Sequence, residues 1–129
     1  MKYAQFVEKV AERMGGTSLG QAESLTQATL STLADRITGG EARDLAAQLP
    51  KELKPFLDKK QESAEGFDLN EFIRRTGLRA GVDRDTALRG VEAVFQTLDA
   101  AVSTGEFQDI MAQLPKEFQN LVPTLVKRR

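Results

Sequence analysis

The sequence predicts an all-α fold: an internally duplicated helical bundle of about eight helices, in two four-helix copies related by a pseudo-twofold axis. Three observations carry this. Apolar residues recur every three or four positions, and no segment sustains the period-two alternation of a strand. Residues 22–57 align with 87–122 at an offset of 65, with 13 identities in 36 positions, where chance gives about two or three. Helix-capping residues and prolines fall at matching places in the two stretches.

The first helix is read from Phe6, Val7, Val10 and Met14, one face of a 3.6-residue period. Leu69, Phe72, Ile73 and Thr76 repeat it in the second copy at an offset of 66. A long helix follows in each copy, 20–37 with Ala22, Leu25, Leu30, Leu33 and Ile37, and 84–102 with Ala87, Val91, Phe95, Leu98 and Val102. These carry the longest stripes and are expected at the centre. Two short helices complete each copy: Ala42, Leu45 and Leu49, then Leu53, Phe56 and Leu57, answered by Phe107, Ile110 and Leu114, then Phe118, Leu121 and Val122. Such short helices do not persist alone in water, so each must cover a neighbour's stripe. The expected cores centre on Phe6, Leu30, Leu33, Leu45, Leu49 and Phe56, and on Phe72, Phe95, Leu98, Ile110, Leu114 and Phe118.

Ser18 with Gln21, Thr38 with Glu41, Asp68 with Glu71 and Ser103 with Glu106 each place a cap three residues before an acid or amide. In such a box the acid or amide reaches back to the cap's own N–H. Gly39-Gly40 and Gly105 are read as supplying backbone freedom for a turn. Pro50 and Pro115 are read at the first position of the last helix, where no N–H is needed. The stretch 58–66 has no apolar stripe. The expected organisation is one compact unit: copy one at 2–58, a connection at 59–66, and copy two at 67–126.

The chain has 129 residues, a formal charge of −1, 40% hydrophobic and 29% charged residues. That composition belongs to an ordinary globular domain, which at this length buries roughly two-thirds of its unfolded surface. The absence of cysteine excludes disulfides, thiolate metal sites and thiol catalysis, and the absence of histidine removes the commonest general base. No apolar run has the length of a membrane helix and the N-terminus lacks a signal-peptide core, so the expected location is the cytoplasm with no membrane partner. Near-zero net charge argues against a dedicated nucleic-acid binder.

Several features bear on chemistry. The hexapeptide Ala-Gln-Leu-Pro-Lys-Glu, present at 47–52 and 112–117, reads first as a structural corner with leucine buried, and second as a duplicated binding surface. Asp44 and Asp109, six residues before the prolines, are candidates to accept from backbone N–H groups at those corners. Arg74, Arg75, Arg79, Arg84 and Arg89 form a candidate anion-binding face of copy two, diluted by Asp83 and Asp85 and lacking interleaved aromatics. Carboxylates are numerous but show no organised pair, and Asp68–Phe72 lacks the glycine and glutamate of a calcium loop. No phosphate-cradling glycine motif occurs, and no catalytic, metal or cofactor-binding residue is assigned.

Phe6–Val10, Gly39–Pro50 and Gly105–Asp109 through Gln113–Glu117 are similar to the bacterial family called domain of unknown function 2267. The resemblance covers nearly the whole chain. It implies an all-helical duplicated protein and brings no activity, cofactor or site residue. Three functional readings therefore stand: a non-catalytic interaction or adaptor module with a protein partner or a second copy, an anion, nucleotide or nucleic-acid binder using the arginine face, and an enzyme built on carboxylates or hydroxyls.

Overall fold

The computed structural model describes residues 1–124; the expected end of copy two at Val126 and the basic tail Lys127-Arg128-Arg129 lie outside them. The α-helices run in order α1 (Tyr3–Arg13), α2 (Leu19–Arg36), α3 (Gly39–Ala47), α4 (Lys54–Leu57), α5 (Leu69–Ala80), α6 (Arg84–Ala101) and α7 (Thr104–Ala112). One 3₁₀ segment, Lys51–Leu53, leads into α4, and another, Lys116–Leu121, follows α7. No strand occurs among the described residues. Both bounds of α2 and α6 differ by 65, as do those of α3 and α7.

Each long helix starts where its cap dictates. Ser18 Oγ accepts from the Gln21 N–H at 3.1 Å and Asp83 from the Thr86 N–H at 2.8 Å. α1 closes through Gly15 and Gly16 and α5 through Gly81, all at positive φ, where a β-carbon is disfavoured. The expected freedom of Gly39-Gly40 and Gly105 is not used: all three are helical first-turn residues. What Gly39 supplies is room, because its N–H donates to the Glu62 carbonyl at 2.9 Å and a β-carbon there would strike the Glu62 backbone and carboxylate. Pro50 and Pro115 also differ from expectation. Each stands just before its 3₁₀ segment, with ψ near 150°, and its carbonyl accepts the N–H three residues on.

α2 and α6 cross at the centre, and α1 and α5 each pack against both. Contacts recur at equivalent positions. Arg13 of α1 donates to Thr97 Oγ1 of α6 at 3.0 Å, while Arg79 of α5 donates to Thr32 Oγ1 of α2 at 2.9 Å. Gly90 of α6 lies directly against Leu25 of α2, its own counterpart at the offset of 65. Phe72, Phe95 and Phe118 meet with centroids 5.4–6.1 Å apart; the positions matching them, Phe6, Leu30 and Leu53, are fully buried in turn. The expected core residues are buried with one exception. Phe56 is half-buried, because α4 is a single turn whose inward position is filled by Leu57, beside the buried Leu53 of the 3₁₀ segment.

The connection is anchored. The Lys59 ammonium donates to the carbonyls of Ala34, Ile37 and Ser63 at 2.6–3.1 Å, covering the C-terminus of α2.

Candidate functional site

The caps of α3 and α7 depart from the boxes read in the sequence, and the departure builds the site. Thr38 Oγ1 and Ser103 Oγ accept from the N–H groups of Glu41 and Glu106, as expected. The reciprocal bonds are made by glutamines of the opposite half. Gln113 Oε1 accepts from the Thr38 N–H at 2.9 Å, and Gln48 Oε1 accepts from the Ser103 N–H at 2.7 Å. Each amide also donates back to the cap hydroxyl at 3.3 Å. The two glutamines of the repeated hexapeptide thus clamp α3 and α7 together.

Relieved of capping, the two glutamates meet at the seam. Carboxylate oxygens of Glu41, Glu106 and Asp109 lie within 4.8 Å of one another. Glu106 is only 8% exposed, and neither its Oε2 nor that of Glu41 has a hydrogen-bond partner. Burial, then the charges of Glu41, Asp44 and Asp109, push the Glu106 carboxyl up to about 7. Burial, then Asp109 and Asp44, raise Glu41 as well. Asp44 and Asp109, read as acceptors at the proline corners, instead add negative charge here. The donors are oxygen only, suited to sharing a proton or holding a hard cation.

Sequence reasoning saw no organised carboxylate pair because Glu41 and Glu106 lie 65 positions apart and each had a local role as a capping partner. The signal was present in their spacing: Glu41 and Glu106 stand at the same place in the two aligned stretches, at the offset of 65.

The arginines divide. On α5, Arg74 and Arg75 pair with Glu71 at 2.7 and 2.9 Å. Arg75 also reaches Asp35 and Glu65 and lies 3.9 Å over the Phe67 ring, and Arg79 pairs with Asp35 at 2.9 Å. The two guanidiniums hold Glu71 down at about 2. Arg84 and Arg89 sit on α6, apart from this network in the chain order. A separate cleft of about 260 Å³ runs along α2, floored by Ser24, Gln27, Ala28 and Ser31 and walled by Phe56 of α4 and by Arg79 and Ala80 of α5.

The family model described as an uncharacterised conserved protein, DUF2267, matches residues 3–121. The chain belongs to this family. No match is found among the curated proteins. Among the described residues, no helix is long and apolar enough to cross a membrane.

Proposed function

We propose that the chain is two copies of one helical repeat, spanning 2–58 and 67 onward about a pseudo-twofold axis, and that it acts as a non-catalytic interaction module of the cytoplasm. The cleft along α2 carries this reading. Its floor residues, Ser24, Gln27, Ala28 and Ser31, are spaced as one helical face. Its walls come from different copies. The half-buried Phe56 ring offers an apolar contact, and Leu78, next to Arg79 on α5, is 70% exposed. A partner helix with small or apolar residues every third or fourth position fits such a groove.

The test is a photocrosslinking residue at Ser24, with light scattering to separate a partner from a second copy. One specific adduct is expected, and it should vanish when Ser31 is replaced by arginine. Adducts unaffected by Ser31→Arg, or none beyond background, would count against the reading. The anion-binding alternative has less to use on α5, where Arg74, Arg75 and Arg79 already hold carboxylates. Heparin retention that falls after changing all three to glutamine would restore it.

A further inference from the structure

We propose that the seam between α3 and α7 is a site for a hard divalent cation of calcium's size, held by Glu41, Glu106 and Asp109, with Asp44 adding charge. This is independent of the helix-docking reading, since the α2 cleft and the seam share no residue.

The geometry comes first. Three carboxylate oxygens from two helices converge within 4.8 Å. Oxygens on opposite sides of a calcium ion stand roughly 4.6–5.2 Å apart, whereas magnesium's shorter bonds bring them to about 4.2 Å or less. No pair stands farther apart than calcium's shell spans, and calcium's adaptable coordination suits carboxylates fixed by two helices, whereas magnesium demands a near-ideal octahedron. Zinc would meet neither imidazole nor thiolate here, since the chain has no histidine or cysteine.

The second observation is independent of clustering. Glu106 is more than nine-tenths buried, its Oε2 has no donor, and its carboxylate lies among those of Glu41 and Asp109. The Glu41 Oε2, on a half-buried residue, likewise has no hydrogen-bond partner. A glutamate at the third helical position ordinarily reaches back to the cap N–H. Here Gln113 and Gln48 occupy those N–H groups, so both carboxylates are left turned inward. Every charge that acts appreciably on Glu106 is negative: Glu41, Asp44 and Asp109. Buried carboxylates so arranged need either a proton or a cation. The glutamine clamps set the α3–α7 spacing before any ion arrives, and they do so from both sides.

The experiment is calorimetric titration of the full chain with calcium chloride at pH 7.5 after chelator treatment, alongside thermal melts with calcium or magnesium. Saturable calcium binding is expected, with a higher melting temperature and a weaker response to magnesium. Glu106→Gln, which keeps the shape and removes the charge, should lose more than about tenfold in affinity. It should melt at or above the calcium-free wild type, because it also removes the repulsion. Asp109→Asn, at an exposed position, provides a second variant with little bearing on folding and should weaken binding as well. Absence of saturable calcium heat in the wild type overturns the proposal and leaves a shared-proton site. Undiminished affinity in both variants overturns it too.

Discussion

Replacing Gly90 by alanine tests the central crossing of α2 and α6. A β-carbon at Gly90 would lie 2.7, 2.9 and 3.0 Å from Cδ2, Cδ1 and Cγ of Leu25, which is itself fully buried. The leucine cannot swing into solvent, so the crossing must shift. Overpacking of this kind costs about 1–3 kcal/mol. Alanine is also the better helix former, by about 1 kcal/mol. Gly90→Ala alone should therefore destabilise by about 0–2 kcal/mol. Leu25→Ala removes the three atoms in conflict and by itself costs about 2–5 kcal/mol through the cavity left behind. In that background the same Gly90→Ala change should stabilise, by about 1–2 kcal/mol, through helix propensity and a buried methyl. Urea denaturation of the four proteins gives the coupling energy, expected at about 1–4 kcal/mol and favourable in the double variant. Additive effects, or stabilisation by Gly90→Ala in both backgrounds, would refute the contact.

Leu49→Asp and Leu114→Asp place a charge at equivalent corners that are 6% and 7% exposed, so each should destabilise by several kcal/mol and by similar amounts in urea melts. Glu106 predicts an alkaline-side loss of stability in calcium-free buffer. Its folded pKa of about 7 stands above its ordinary 4.5, so the unfolded chain releases the proton first as pH rises. Stability should fall by about 3 kcal/mol between pH 4.5 and 7.5, with Glu41 adding to the loss, and Glu106→Gln should flatten that dependence. Glu71 does not interfere, because its depressed pKa costs stability only as pH falls from 4.5 towards 2. Lys59→Met keeps the aliphatic stem and strips three carbonyls of their donor; it should destabilise by about 1–2 kcal/mol in urea melts.

The helices were legible wherever one stripe faced one neighbour. Leu25, Leu30, Leu33 and Ile37, and their partners on α6, announced a buried face at the right period, and α2 begins within a residue of the expected position. The half-burial of Phe56 is not legible in the sequence, because a one-turn helix has no periodicity to show which apolar residue turns inward. Interactions between distant segments were not visible. Nothing near Gln48 or Gln113 marks them as caps for Ser103 and Thr38, since their hydrogen bonds cross 55 and 75 positions. Lys59 reads as a solvated linker charge until the fold brings the end of α2 beneath it. The acidic seam was hidden for the same reason: capping explained each glutamate locally, and only packing brings the two together.

The most direct test of two interlocked equivalent halves is to divide the chain between Glu65 and Gly66 and measure the pieces by sedimentation equilibrium. Because α1 packs on α6 and α5 on α2, each piece alone should lack a covered core and fail to fold as a stable monomer. Mixed, they should form a helical one-to-one complex, since Leu25 of one piece needs Gly90 of the other. A stably folded monomer from either piece, or a mixture that remains unfolded, would contradict the account.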